Sequence, residues 1–188
     1  MGSIYTKHGL SENDWNFLQS QTGQDRKTII KQYADFNEAC PNGKLTLGDF
    51  IIAYKKLYTI QHGVEYCKHL FGVFDKDNNG FVDYKEFILA LNLISKGSDE
   101  EQLKWIFSLY DLDGNGALDP IEVAKVLQIL HSEYSTNIFN PPNISNEVKN
   151  IFNFLDKNNN GQITEEEFVA GCLQDNYLSQ LLAPQFLQ

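Results

Sequence analysis

The chain of 188 residues lacks several features that define common functional classes. It has no run of 18 apolar residues, which a membrane-spanning helix requires. Its 15 lysines and arginines are outnumbered by 25 aspartates and glutamates, giving a formal net charge of −10, whereas a general nucleic-acid binder needs basic patches. It has no Cys-x-x-Cys motif, and its N-terminus lacks the apolar core of a secretory signal. These absences predict a reduced, cytoplasmic protein.

Catalytic side-chain sets are also missing from the sequence. No Ser/His/Asp or Cys/His arrangement is recognisable, so we predict that the chain is not an enzyme. Met1 is the only methionine, and a promiscuous partner-binding groove relies on pliable methionine side chains. We therefore expect few partners, selected by shape.

One 12-residue segment recurs three times. Residues 75–86 read DKDNNGFVDYKE, residues 111–122 read DLDGNGALDPIE and residues 156–167 read DKNNNGQITEEE. Each has Asp first, Asp or Asn third, Asn fifth, Gly sixth, an aliphatic residue eighth and Glu twelfth, which is the pattern of the EF-hand calcium loop. Acidic turns between surface helices would not reproduce glycine and glutamate at fixed offsets three times.

The spacing follows from the chemistry of calcium, which takes six to eight oxygen ligands. Positions 1, 3 and 5 offer side-chain oxygens, position 7 offers a backbone carbonyl, position 9 usually acts through a water, and the glutamate at position 12 offers both carboxylate oxygens. The predicted ligands are Asp75, Asp77, Asn79, Phe81, Asp83 and Glu86; Asp111, Asp113, Asn115, Ala117, Asp119 and Glu122; and Asp156, Asn158, Asn160, Gln162, Thr164 and Glu167. The sequence thus predicts three Ca²⁺ sites, with Mg²⁺ as a possible occupant of the calcium-free state.

EF-hands occur in pairs, so three loops predict a fourth upstream. Placing Gly43 at position 6 gives residues 38–49, EACPNGKLTLGD, between apolar helical stripes. Its ligands are missing: Glu38 is too long for position 1, Cys40 is a soft thiol, Pro41 fixes φ and Asp49 is one methylene short for bidentate reach. We number this loop 1 and the others loops 2, 3 and 4, and predict that loop 1 binds no calcium but serves as a structural partner, its helical face being a candidate target site.

The fold class that follows is all-α with short loop-to-loop β-ribbons. Four EF-hands form two paired lobes, residues 1–95 and 96–188, with the first hand degenerate and a C-terminal segment after the fourth. Loops 2 and 3 each carry four acidic side chains at ligand positions, whereas loop 4 carries two. Because ligand charge tunes affinity, we predict that loop 4 is the weakest site.

At the level of family, residues 40–43 (Cys-Pro-Asn-Gly) in an inactive first loop resemble the neuronal calcium sensor family. Within it, residues 90–105 and 109–116 resemble the guanylate-cyclase-activating proteins, and recoverin- and visinin-type sensors share much of the second segment. One departure is the pair Gln32-Tyr33, where family members usually carry Trp-Tyr. The resemblance implies a calcium sensor that regulates a membrane-associated enzyme, with a membrane guanylate cyclase as the first expectation. Alternatives are a sensor for a receptor kinase, ion channel or phosphatase subunit, or a calcium buffer.

The first residues, Met-Gly-Ser-Ile-Tyr-Thr, match the N-myristoylation pattern, with Gly2 as the acceptor after removal of Met1. A single myristoyl chain gives only reversible membrane binding. We therefore expect a cytoplasmic protein that becomes a peripheral membrane protein when it is myristoylated.

Overall fold

The computed structural model describes residues 10–57, 64–134 and 143–182. Ten helices and four short strands lie in these residues, in the helix–loop–helix order of successive EF-hands, which confirms the predicted fold class. The elements are α1 Glu12–Thr22, α2 Arg26–Ala39, β1 Lys44–Thr46, α3 Leu47–Leu57, α4 Val64–Phe74, β2 Phe81–Asp83, α5 Tyr84–Lys96, α6 Asp99–Tyr110, β3 Ala117–Leu118, α7 Pro120–Tyr134, α8 Ile144–Leu155, β4 Ile163–Thr164, α9 Glu165–Gln174 and α10 Asn176–Leu182.

The four hands associate through two antiparallel ribbons. Strand β1 of loop 1 pairs with β2 of loop 2, where Leu45 lies opposite Val82. Strand β3 of loop 3 pairs with β4 of loop 4, where Leu118 lies opposite Ile163. These four residues all occupy loop position 8, and the three that belong to loops 2, 3 and 4 are fully buried. The predicted pairing of hands is therefore confirmed, including that of loop 1.

The second half of each loop also starts a helix. The Asp83 side chain accepts from the Glu86 amide at 3.0 Å, and Glu86 accepts from the Asp83 amide at 3.0 Å. This reciprocal pair is a capping box, and Thr164 and Glu167 form another at the start of α9. The same two positions that are predicted calcium ligands thus fix the first turn of the following helix.

The larger hydrophobic core joins the second hand to the third and fourth. It contains residues of α4, α6, α7, α8 and α9. Phe74 of α4 meets Trp105 of α6 edge-on, with ring centroids 6.0 Å apart. The His69 ring nitrogen Nε2 lies 3.0 Å from the Ser108 carbonyl oxygen on the same pair of helices. The packing is therefore continuous across residue 96, and the division into 1–95 and 96–188 stays a prediction.

A second, smaller core lies around the first hand. Trp15 of α1 is fully buried and meets Tyr33 of α2 edge-on at 5.9 Å. Tyr33 in turn contacts Tyr84 with ring centroids 4.9 Å apart, and the Tyr84 hydroxyl donates to the carbonyl of Ile29 at 3.0 Å.

An ion pair also joins the first helix to the fifth, because Lys85 donates to Asp14 at 3.2 Å. Helix α1 is thus attached to the first turn of α5, directly beside Glu86.

The last helix, α10, packs on the fourth hand. Leu178 and Leu182 are buried, and the Tyr110 hydroxyl donates to the Leu182 carbonyl at 3.2 Å. This segment therefore contributes to the larger core. Of the helices that the structure describes, none combines the length and apolarity needed to cross a membrane.

Candidate calcium sites

Loops 2 and 3 each bring three carboxylates together. In loop 2, oxygens of Asp75, Asp77 and Glu86 all lie within 4.8 Å of one another, and Asp111, Asp113 and Glu122 form the same arrangement in loop 3. Asp75 is only 6% exposed and Glu122 only 5%. Carboxylates at this separation repel one another, and burial increases the cost of their charge. A hard divalent cation with oxygen ligands fits this donor set, as the sequence predicts.

Backbone amides hold these carboxylates in place. Asp75 accepts from the amides of Asn79 and Gly80, at 3.0 and 2.9 Å. Glu86 accepts from the amides of Lys76 and Asp77, at 2.9 and 3.3 Å, in addition to its capping bond. The corresponding bonds recur in the other two loops, from the Asn115 and Gly116 amides to Asp111, from the Leu112, Asp113 and Asp119 amides to Glu122, from the Asn160 and Gly161 amides to Asp156, and from the Lys157 and Thr164 amides to Glu167.

The backbone of loops 2, 3 and 4 is left-handed at two positions. Position 6 is glycine in each loop, and it has φ of 86°, 83° and 83° in turn. Position 4 is also left-handed, with φ of 55° at Asn78, 71° at Gly114 and 57° at Asn159. Asparagine and glycine are the residues that adopt this conformation most readily. The sequence pattern identified position 6 but missed position 4, although both residue types there indicate it.

Loop 1 has lost this geometry. Gly43 keeps the left-handed position 6, with φ of 67°. Position 4 is Pro41, whose ring holds φ at roughly −65° and so excludes the left-handed conformation. The Gly43 amide instead closes a tight turn onto the Cys40 carbonyl at 2.8 Å. Asp49 accepts from the Thr46 hydroxyl at 2.7 Å as part of a helix cap. These contacts agree with the prediction that loop 1 is a structural partner; the absence of calcium binding stays a prediction.

The Cys40 thiol lies at position 3 of loop 1 and is buried. Burial, with a smaller contribution from the nearby Asp49 carboxylate, raises the pKa of the Cys40 thiol. The thiol therefore stays protonated at neutral pH, and a protonated thiol is a poor ligand for a hard cation.

Loop 4 brings together a smaller charge. Asp156, which is 8% exposed, and Glu167 are its only carboxylates at ligand positions. Position 3 is Asn158, whose amide nitrogen donates to Glu167 at 3.0 Å and whose amide oxygen accepts from Asn160. The three side chains still converge, and they offer oxygens of the kind that calcium takes.

The remaining predicted ligands lie at positions 5, 7 and 9. In loops 2, 3 and 4 the side-chain oxygen of the position 5 asparagine accepts from the position 7 amide, at 3.0 Å in loop 2 and 2.8 Å in loops 3 and 4. Phe81 lies on β2 and Ala117 on β3, while Gln162 directly precedes β4. Asp83 and Thr164 are the caps of α5 and α9, and Asp119 accepts from the Ile121 and Glu122 amides at 2.7 and 2.8 Å. Gly2, the predicted lipid acceptor, lies outside the described residues.

Comparison with known proteins identifies the family to which the chain belongs. Residues 100–173 match the model of an EF-hand domain pair, and residues 66–94 match an EF hand domain. The chain is 34% identical to neuronal calcium sensor 1 of Lymnaea stagnalis over 168 residues, which cover 88% of each protein. It is 33% identical to a guanylyl cyclase inhibitory protein of Lithobates pipiens, over 80% of this chain and 74% of the relative. It is also 30% identical to guanylyl cyclase-activating protein 2 of Gallus gallus, over 86% and 84%. The three loops with this geometry, the paired fourth hand and these relatives show that the chain belongs to the neuronal calcium sensor family of EF-hand proteins.

Proposed function

We propose that this calcium sensor binds three Ca²⁺ ions, in loops 2, 3 and 4, and regulates a membrane guanylate cyclase. As a member of its family the chain is a calcium-binding regulator and not itself an enzyme. The observation that carries the proposal is the convergence of carboxylates in loops 2 and 3, repeated with fewer charges in loop 4. The proposed ligands are those predicted from the sequence, with Mg²⁺ as the occupant of the calcium-free state. The proposed units are the EF-hand pairs 1–95 and 96–188.

The glutamate at position 12 is the proposed link between binding and shape. When bound, calcium supplies two positive charges to each loop. The Glu86 carboxylate accepts hydrogen bonds from backbone amides in both halves of loop 2, and Glu86 belongs to the first turn of α5. A reorientation of its carboxylate therefore moves the start of that helix. Tyr84 and Lys85 on the same turn contact Ile29 and Asp14, so the movement reaches α2 and α1.

A guanylate cyclase is the first target to test, because two of the relatives are named for that enzyme. The experiment measures cGMP synthesis by membranes that contain a retinal-type guanylate cyclase, with the purified chain in calcium and in EGTA. We expect a calcium-dependent difference, which is lost in the variant Glu86→Gln/Glu122→Gln/Glu167→Gln. Asp35→Asn/Asp99→Asn/Glu100→Gln, at exposed positions of α2 and α6, is the matched control because it removes the same three negative charges outside the loops. Equal synthesis in calcium and EGTA would exclude the cyclase.

A different protein target is the second candidate. It is favoured by Gln32, which stands where the family resemblance expects tryptophan, beside Tyr33 in the smaller core. Calcium-dependent capture on the immobilised chain, with identification of the bound protein, tests this. A buffer would show no calcium-dependent exposure of apolar surface to a fluorescent dye.

We also propose that Gly2 is myristoylated and that the chain is cytoplasmic, with reversible membrane attachment. Co-expression with an N-myristoyltransferase and mass measurement tests the modification, with Gly2→Ala as the control. Sedimentation with vesicles should retain the modified chain and release the Gly2→Ala variant. Equal retention of the two would contradict lipid-mediated attachment.

A further inference from the structure

Loop 1 places a lysine directly across the ribbon from loop 2. Lys44 is the first residue of β1, and its backbone lies opposite Asp83, the position 9 residue of loop 2. Its ammonium nitrogen lies 4.0 Å from the centroid of the Phe81 ring. Phe81 is position 7 of loop 2, whose carbonyl is a predicted calcium ligand. The corresponding residue of the other ribbon is Ala117, opposite Thr164, so that ribbon has no charge at this point.

The position of the ammonium group fixes its electrostatic effect. Because the nitrogen lies over the side chain of Phe81, it is within about 10 Å of the carbonyl oxygen of that residue. Four acidic side chains of loop 2 lie at ligand positions around that carbonyl. A positive charge there relieves carboxylate repulsion when no ion is bound, and it opposes the approach of a divalent cation. Lys85 of the same loop is already paired with Asp14 at 3.2 Å, so its charge is partly compensated.

We propose that Lys44 is an affinity-determining residue of the neighbouring site. It lowers the calcium affinity of loop 2 and stabilises the calcium-free protein. Loop 1, which lacks calcium ligands of its own, thereby sets the calcium concentration at which its partner loop fills. This inference rests on the proposed calcium binding by loop 2.

The test compares three variants in the full chain, each combined with Glu122→Gln and Glu167→Gln so that calorimetry reports on loop 2. Lys44→Met keeps an apolar stem on the Phe81 ring and removes the charge. Lys44→Arg keeps both the charge and the ring contact. Lys31→Met, on an exposed position of α2, is the control for net charge.

We expect Lys44→Met to raise calcium affinity about two- to threefold at 10 mM KCl, where the screening length is about 30 Å. The gain should fall below about 1.5-fold at 0.5 M KCl, where screening extends only a few ångströms. Lys44→Arg and Lys31→Met should leave the calcium affinity within about 1.5-fold of that of the parent, the Glu122→Gln/Glu167→Gln chain that keeps both lysines. In EDTA at low salt, Lys44→Met should unfold at a lower temperature than Lys31→Met.

Two results would overturn the inference in distinguishable ways. If calorimetry detects calcium binding but the affinity of Lys44→Met is no higher than that of the chain that keeps Lys44, then Lys44 does not oppose binding, while the proposed site stays intact. If the Glu122→Gln/Glu167→Gln chain that keeps Lys44 shows no heat of calcium binding, then loop 2 is not a calcium site and the inference is refuted with it. The unfolding temperature in EDTA reads the effect of Lys44 on the ion-free chain without any metal.

Discussion

Loop 4 differs from loops 2 and 3 most directly at position 3, and the variant Asn158→Asp removes that difference. The Asn158 amide nitrogen donates to Glu167 at 3.0 Å, whereas Asp77 and Asp113 accept from Asn79 and Asn115 at 2.8 and 2.9 Å. Asn158→Asp replaces the donor with a carboxylate oxygen. In the calcium-free chain a hydrogen bond is therefore lost and a like-charge contact is created.

The size of each effect follows from Coulomb's law at an exposed position. Two unit charges 4 Å apart interact by about 1 kcal/mol in bulk water, so the new contact with Glu167 costs about that much. Loss of the hydrogen bond adds about 0.5–1.5 kcal/mol and brings the total to about 1.5–2.5 kcal/mol, or roughly 3–10 °C in unfolding temperature for a chain of this length. The attraction between a divalent ion and the new carboxylate is twice that between two unit charges at the same distance. Part of this gain is offset because the carbonyl dipole of the Asn158 amide is lost. The net gain of about 1–2 kcal/mol corresponds to about five- to thirtyfold tighter calcium binding.

The assay combines calorimetry with thermal unfolding in full-length chains whose other loops carry Glu86→Gln and Glu122→Gln. Asn158→Asp should bind calcium more tightly and unfold at a lower temperature in EDTA, so that the two effects have opposite signs. Asn150→Asp adds the same charge on the exposed face of α8 and should change neither quantity appreciably. Unchanged or weaker calcium binding by Asn158→Asp would refute the argument that carboxylate number limits loop 4.

Three further predictions concern the rest of the fold. The three cysteine thiols are buried, and burial raises the pKa of Cys172 to about 12, so native thiols should react slowly with a disulfide reagent at pH 8 and all three should react after denaturation. A side chain at Gly171 would overlap the buried Leu155, and this overlap outweighs the roughly 0.5–1 kcal/mol that alanine gains over glycine in a helix, so Gly171→Ala should lower the free energy of unfolding by about 1–2 kcal/mol in denaturant titration. Tyr84→Phe removes the buried hydrogen bond to the Ile29 carbonyl, which keeps its place inside helix α2, and should cost about 0.5–1.5 kcal/mol in the same assay. Rapid native labelling, or variants as stable as the parent, would contradict these contacts.

The local parts of this structure could be predicted because each depends on a short, fixed spacing. The glycine and glutamate offsets located loops 2, 3 and 4, and the aliphatic residue at position 8 predicted the ribbons. Leu45 opposite Val82 and Leu118 opposite Ile163 confirm that register. Pro41 marked loop 1 as altered, and the structure adds the reason that position 4 is left-handed in the other loops.

The long-range contacts could not be predicted in the same way. A helical stripe shows which face is buried, but not against which element. The burial of Trp15 beside Tyr33 joins segments 18 residues apart, and the contact of Phe74 with Trp105 joins the second and third hands. The Lys44–Phe81 contact depends on the ribbon that brings two loops side by side. Such pairs arise from tertiary packing, which local periodicity does not encode.

A count of the calcium ions bound per chain is a direct test of binding by loops 2, 3 and 4 and of its absence from loop 1. Mass measurement of the native protein, equilibrated with calcium at concentrations well above those that saturate the tightest sites, counts the bound ions. We expect three ions in the parent chain, falling to two in each of the single variants Glu86→Gln, Glu122→Gln and Glu167→Gln. Four ions in the parent chain with three in every variant, or fewer than three ions in the parent chain, would contradict this expectation.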